Sequence, residues 1–386
     1  MKKVVYEYQD FAERLASRGH TVTVIDFDPD GDGSGNHGEV SRTGIGTVVL
    51  ENTGFLKLPI LKYISGRYRY KKLLLKKLIN KEIDVVFLYA VFINGTNTVS
   101  LCKKFNIPVC YRALDIYHKI RKNIFILPPL YFGEKYIYKH SDEVIPTNER
   151  LGNYVKRMSN GKCKKIFLLH HGIDTSLFHK RDNNTKLRRK FGFNEDDKIA
   201  VFLGTTYDFA GIDVVIKNFA VMRIILPTIK IMIVGAGDYD TKLKRLIIEQ
   251  GLEKEVVLTG FQPYEEVPEF LGIADIAFNS FRLNDITKDI IPVKIVQYLA
   301  CGKPLICTPL PDIVKLFPEK DSGILYCDIK QGDKFAALIA ETMANQTLMN
   351  QLSQNAVNFI VKNFDMNTQI LKLENELIGL CKQCSY

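Results

Sequence analysis

IKIMIVGAGDYD, residues 229–240, is an apolar run of strand length that breaks on two glycines and then turns polar. Isoleucine, methionine and valine fill most of its first six positions, as a buried strand requires. Gly235 and Gly237 then let the backbone turn tightly before a helix begins. Strand, glycine turn and helix in that order form the first half of a βαβ unit, whose ligands sit at the carboxyl end of the strand. The third glycine of a dinucleotide fingerprint is absent, with Asp240 in its place. The stretch therefore argues for a close backbone approach to a ligand and only weakly for a dehydrogenase.

Working outward, the same alternation recurs on both sides. Apolar runs at 199–204, 256–260, 276–280, 304–308 and 323–327 read as further strands, with helical periodicity between them and helices from 331 onward. An earlier series starts with the helix-period segment 4–19 and the strand TVTVIDF. It continues through strands at 84–90, 108–113, 143–147 and 165–171. A polar hinge near 172–197 separates the two series. The expectation is an α/β chain of two Rossmann-like, doubly wound domains facing a cleft: 1–171, then 172–363, with a last helix over 364–386 crossing back to the first.

With 386 residues, 46% of them hydrophobic and 25% charged, the chain has the composition of a soluble globular protein. No stretch approaches the length of a membrane span; NIFILPPLYF (123–132) is too short and holds two prolines. Residues 1–20 carry charges throughout and do not read as a signal peptide. Eight cysteines show no metal-site spacing and fit the reduced thiols of a cytosolic protein; no metal site is expected. The net charge of +10 is lopsided. Residues 1–180 hold 29 Lys and Arg against 17 Asp and Glu, and 57–139 hold 17 against 4. Such a half suggests an anionic partner, and a cytoplasmic protein lying peripherally at an inner membrane face is the expectation. No nucleic-acid motif accompanies the charge, so nucleic acid is not an expected partner.

Several strand ends carry polar chemistry. FLGTTYDFAGID (202–213) sets Gly204, Thr205, Thr206 and Asp208 between a strand and a helix, where they fit either a ligand-facing turn or a capped helix entry. IPVKIVQYLACGKPLICT (291–308) carries Lys294 and Gln297 near the start of an otherwise apolar helix, a place that favours an anion. In YRALDIYHK (111–119), Asp115 and His118 follow a strand. They read either as a cap and a surface histidine or as groups that position a reacting hydroxyl, with histidine the closer to a working pKa.

The order HGIDTSLF, FLG…GID, IMIVGAGDY, VVLTGF, ADIAFNSF, PVKIVQYLACGKPLI and GILY resembles the family 4 glycosyltransferases of the GT-B fold, over nearly the whole chain. The resemblance implies a retaining transfer of a sugar from a nucleotide-sugar to an acceptor hydroxyl, on a lipid-linked or polysaccharide acceptor. The nucleotide-sugar is then a substrate, and no cofactor is implied. A GT-B sugar-nucleotide epimerase and a non-catalytic sugar or lipid binder remain the alternatives. The family places one acidic residue on the donor's sugar side and another, eight positions later, on the ribose. Here those positions hold Asp289 and Gln297. Glutamine keeps an acceptor for a hydroxyl without the charge. The Arg and Lys that the family sets after the strand at 199–204 are absent from TTYDFAG, which leaves Lys294, on a solvent-facing first turn, for the diphosphate. The resemblance also assigns Gly204, Thr205, Asp208, Gly235 and Gly237 to donor binding and Asp115 or His118 to catalysis.

Two stretches fit less well. DPDGDGSGNHGE (28–39) matches a calcium-loop pattern but follows a strand and has Gly35 where an apolar residue belongs, so a mobile acidic loop is expected. The family also opens on a strand and a glycine-rich turn, whereas this sequence opens almost on the helix at 4–19. The first strand of the first domain is therefore expected to be missing, with an incomplete N-terminus as the reading.

Overall fold

Short runs of β-branched and aromatic residues bury their faces by pairing in parallel and taking helices on either side. The computed structural model describes residues 7–27, 33–58, 61–89, 91, 94–120, 127–181, 184–284, 287–289 and 291–383. The chain divides into two units, Met1–His171 with Gln369–Tyr386, and Gly172–Thr368.

The first unit holds two three-stranded sheets. In one, strands β1 (Thr23–Asp26) and β3 (Val48–Asn52) are parallel, and β2 (His37–Val40) lies antiparallel on the other edge of β3. In the second, β4 (Val86–Leu88), β5 (Val109–Ala113) and β6 (Glu143–Pro146) run parallel in that order. The stretch expected to be a loop over 28–39 thus ends in a strand, because its last residues find backbone partners on β3 that no periodicity announced. Asp28, Asp30 and Asp32 lie outside the described residues. The strand expected over 165–171 shrinks to a bridge between Ile166 and Val144. Phe167 and Leu169 still donate to carbonyls of β6, at 3.1 and 3.2 Å, but the Leu169 carbonyl turns to Arg112 (2.6 Å) instead of continuing a ladder.

Strand β5 is buried throughout, Arg112 included. A buried guanidinium needs a paired charge, and Glu7 provides it from the first turn of helix α1 (Glu7–Ser17), accepting from Arg112 Nε and Nη2 at 2.8 and 3.0 Å. His171 Nδ1 lies 2.5 Å from the same carboxylate. Burial raises the Glu7 pKa, but the His171 hydrogen bond and the Arg112 charge outweigh it and hold the carboxyl at about 2. Phe11 of α1 stacks on Phe87 of β4, with ring centroids 6.5 Å apart.

Each of β1 and β4 has one partner strand among the described residues. The bond from Val49 N–H to the Val22 carbonyl sets the even residues of β1 toward β3, so the backbone groups of Thr23 and Ile25 point the other way. By the same logic Val86 faces β5, and Phe87 points away. A cavity of about 2540 Å³ runs along both of these edges, lined by residues 22–27 and 85–89. The first strand that the resemblance places in this sheet is not among the described strands.

The second unit carries β7 (Lys198–Leu203), β8 (Ile229–Val234), β9 (Val256–Gly260), β10 (Ile276–Asn279), β11 (Leu305–Cys307) and β12 (Ile324–Tyr326) in one parallel sheet, ordered β12-β11-β10-β7-β8-β9. All six lie where the apolar runs placed them. Chain order reverses between β7 and β10, so the switch point, where open parallel sheets bind ligands, falls at the carboxyl ends of these two strands.

Hydrogen exchange should separate the sheets. Amides in β7 and β8, paired on both edges and almost entirely buried, should be strongly protected, whereas Thr23, Ile25 and Phe87 should exchange quickly. Equal protection of both sets would show that the open edges of β1 and β4 are paired in solution.

Candidate functional site

Two glycine turns build the switch point of the second unit. Gly204 follows β7 at φ +116° and Gly235 follows β8 at φ +138°, both in the region that favours glycine. They pack on each other: Gly204 N–H donates to the Val234 carbonyl at 2.8 Å, and a Cβ on Gly235 would sit 2.2 Å from the Gly204 carbonyl oxygen. A Cβ on Gly237 would likewise meet the Thr206 carbonyl at 2.6 Å. Neither position accepts a side chain, because the two turns form one surface of backbone. Thr206 is buried and donates to Asp240, which opens the helix Asp240–Glu249, while Thr205 is exposed. Thr206 and Asp240 fasten the two turns, and Thr205 remains open to solvent.

The helix Val293–Ala300, with Pro292 at the position before its first residue, closes the site from one side. Every residue from Lys294 on is buried, since the helix is held between β11 and the helix Gln346–Asn363. This corrects the expectation of a solvent-facing first turn: Lys294 is only 8% exposed. Its Nζ lies 3.7 and 4.1 Å from the ring centroids of Phe202 and Phe281 and borders the Gly204 turn. Among the described residues no carboxylate pairs with it. Burial pushes its pKa well below the usual lysine range, while the two ring faces favour the charged form. Gln297, one turn on, is 7% exposed, and its amide makes no hydrogen bond among the described residues. Its neighbour Tyr298 anchors the helix to β7 by accepting from Leu203 N–H at 2.6 Å. Asp289 ends a 3-10 turn, Thr287–Asp289, and its side chain lies outside the described residues.

The glycine turn after β7 does have a cation nearby, contributed from the loop after β10. Arg282 binds Asp213 through both carboxylate oxygens at 2.7 and 2.8 Å and donates to the Asp208 carbonyl. Its charge is satisfied within the protein, and Asp208 itself points outward, 3.8 Å from the guanidinium. FRLND gave no sign of this, because the pairing joins residues 69 apart in sequence.

In the first unit, Asp115 and His118 both follow β5, yet no bond joins them. Asp115 is exposed. His118 Nδ1 is held by Glu134, a fully buried carboxylate in the helix Leu127–His140 that also accepts from Tyr117 N–H at 2.7 Å. Two bonds into Glu134 fix the imidazole and leave Nε2 facing the Tyr154 hydroxyl at 3.5 Å, with the Tyr131 ring edge-on at 5.3 Å. Burial, aided by the Glu134 charge, pushes the Tyr154 phenol up to about 12, so it remains a neutral donor. Glu134 escaped sequence reasoning. Its one signal was being the only acidic residue between Asp115 and Asp142.

Within the second unit, backbone turns at a switch point and a buried lysine that no carboxylate pairs with among the described residues leave a place for an anionic ligand. Two family descriptions divide the chain: "Glycosyltransferase Family 4" matches residues 8–177 and "Glycosyl transferases group 1" matches 183–359. The chain belongs to the family 4, group 1 glycosyltransferases and is a transferase with the GT-B fold. It is 24% identical over 332 residues to an uncharacterized glycosyltransferase of Methanocaldococcus jannaschii, covering 84% of this chain and 72% of that one. It is 30% identical over 173 residues to the GDP-mannose-dependent α-(1-6)-phosphatidylinositol monomannoside mannosyltransferase of Mycolicibacterium smegmatis, covering 41% of this chain and 45% of that one. Among solved structures, Anabaena HepE in complex with UDP superposes with a TM-score of 0.68 at 16% identity, covering 87% of this chain and 86% of the other, a likeness of fold.

Lys294→Met removes a buried amine and keeps the packing. It should weaken binding of UDP or GDP by about 1.5–3 kcal/mol, the range for hydrogen bonds to charged groups, and leave the ligand-free protein at least as stable. Between the lowered Lys294 pKa and the ordinary value of about 10.4, the unfolded chain binds a proton that the folded chain does not. Parent stability should therefore rise with pH across that window, and the Met variant should lose that contribution. Calorimetry in buffers of different ionisation enthalpy should show proton uptake on nucleotide binding in the parent alone. Unchanged nucleotide affinity in Lys294→Met would remove Lys294 from the site.

Gln297 gives a second check. Gln297→Glu should preserve or improve nucleotide affinity, and Gln297→Leu should lower it. Full affinity in the leucine variant would make Gln297 a packing residue.

Proposed function

We propose that this chain is a retaining glycosyltransferase that moves a hexosyl group from a nucleotide-sugar to a hydroxyl of a lipid-linked or polysaccharide acceptor. The observation that carries the reading is Lys294, a buried lysine beside the Gly204 turn that no carboxylate pairs with among the described residues. A nucleoside diphosphate supplies two phosphates to such a place, with backbone N–H groups as the remaining donors. Gln297 and Asp289 are assigned to the ribose and sugar hydroxyls, and Gly204, Thr205, Asp208, Gly235 and Gly237 to the walls of the donor site. Retention follows from the family resemblance, and a lipid-linked acceptor is supported by what the Mycolicibacterium relative is named for.

In the reaction, the acceptor oxygen bonds to the anomeric carbon on the face the donor phosphate leaves, as the bond from that carbon to the β-phosphate oxygen breaks and the hydroxyl proton passes to the departing phosphate oxygen. The nucleoside diphosphate leaves with the electron pair, next to Lys294, which stabilises the charge developing on the leaving group. His118 is the group of the first unit assigned to the hydroxyls involved, with Glu134 setting which ring nitrogen is free. The nucleotide-sugar is a substrate here, and no further cofactor is assigned.

A panel of UDP- and GDP-sugars tests the proposal. One donor should be hydrolysed slowly without acceptor, releasing nucleoside diphosphate, and transferred faster with acceptor, with the anomeric configuration kept. His118→Ala should cut turnover by about 10²–10⁴-fold, the range for a positioned acid or base, without changing nucleotide affinity. An epimerised sugar-nucleotide with no diphosphate release, or binding without turnover of any donor, would replace this reading by one of the alternatives.

A further inference from the structure

Helix α2 (Leu61–Ile79) has two apolar faces where one suffices for a core. Gly66, Tyr70, Leu74 and Leu78, four residues apart, form its buried face. Leu61 and Tyr68 fall, at about 100° per residue, on the side away from it, and Ile64 lies between them and Leu78, at the edge of the cavity along β1 and β4. Leu61, Ile64 and Tyr68 are 44%, 60% and 68% exposed. The turn just before the helix adds Leu56 and Leu58, 51% and 54% exposed, and is tied down where Leu56 N–H donates to Ser65 at 2.9 Å. Nothing among the described residues covers this stripe.

The charges around it are of one sign. From Lys57 to Lys77 the sequence holds eight cations and no acid. Lys77 is engaged by Glu51 and Glu82, at 2.7 and 3.2 Å, and Arg67 by Asn97 at 3.0 Å. Lys71 and Lys72 make no ion pair among the described residues, and both continue the exposed face of the stripe one turn beyond Tyr68. An apolar stripe in water is unfavourable, and a row of unpaired lysines beside it repels itself. One environment relieves both at once.

We propose that this face of α2 lies on an anionic lipid surface, with Leu61, Ile64 and Tyr68 entering the boundary between headgroups and acyl chains and Lys71 and Lys72 meeting lipid phosphates. An interfacial helix needs this division: apolar residues on one line, long cationic side chains that reach back to the headgroups, and a tyrosine at the border. A second copy fits poorly, because a two-fold contact through the stripe would bring both lysine clusters together. Nucleic acid fits poorly as well, since the middle of the stripe offers isoleucine and leucine to a phosphate backbone. The proposal goes beyond the transferase reading, and vesicle binding requires no turnover.

The sequence contains no tryptophan, so Tyr68→Trp in the full chain introduces a unique indole as reporter. With phosphatidylcholine vesicles containing one-third phosphatidylglycerol, the indole emission of this variant should shift to the blue. With pure phosphatidylcholine the shift should be weak. Adding Lys71→Glu and Lys72→Glu should weaken binding by at least about thirtyfold, from about 1 kcal/mol per basic residue near such a surface, and rising salt should do the same. Ile64→Glu in the Tyr68→Trp background, on the solvent side, should keep the circular dichroism spectrum and abolish the blue shift. The proposal falls if the protein sediments with anionic vesicles while the indole emission stays unchanged. It also falls if neutral vesicles bind as well, or if the blue shift occurs without lipid in a dimer or only on added nucleic acid.

Discussion

Taking an ammonium out of water costs several kcal/mol unless something returns it, and burial with only two aromatic faces around it pushes the Lys294 pKa down toward the neutral amine. Much of the second unit is arranged around that imbalance. Gly204 and Gly235 pack backbone against backbone, with Gly204 next to the lysine, and Tyr298 pins the helix that carries it to β7. A core selected for stability alone would place methionine or leucine at this position. A buried lysine that no carboxylate pairs with among the described residues is tolerable where an anionic ligand completes it, as proposed above.

Arg112 meets the same desolvation cost in the first unit and resolves it internally. Its guanidinium is saturated by Glu7 and by main-chain carbonyls, including that of Leu169. That network is structural: it fixes the start of α1 to the end of β5. Arg282 is intermediate, close to the glycine turn but neutralised by Asp213. These three buried or half-buried cations thus differ in what completes them, and of the three Lys294 is the one left for a ligand. His118 shows the complementary case, a ring whose inner nitrogen is committed to Glu134 while the outer one faces the Tyr154 hydroxyl at 3.5 Å.

The departures from the family pattern acquire a physical sense at this level. With the expected Arg and Lys missing after β7, the proposed diphosphate contact falls on a neighbouring helix, whose lysine is buried because that helix is packed from Lys294 onward. Gln297 in place of a carboxylate avoids setting a second, opposite buried charge one turn away.

The sequence by itself determined the α/β alternation and all six strands of the second unit, because strands buried on both faces are continuous apolar runs punctuated by glycine, a signal local to a dozen residues. It also pointed to Lys294, Gln297 and His118, because polar residues in otherwise apolar elements are visible without a structure. The three-dimensional arrangement alone decided what those residues are. Whether Lys294 faces water depends on what packs against its helix, whether His118 is oriented depends on a carboxylate sixteen residues away, and β2 exists through pairing with β3. The exposed stripe on α2 was hidden for the same reason: its apolar residues look like core until the helix shows which face the core has taken. Periodicity and composition are properties of neighbours along the chain, whereas burial, charge pairing and strand edges belong to residues that only folding brings together.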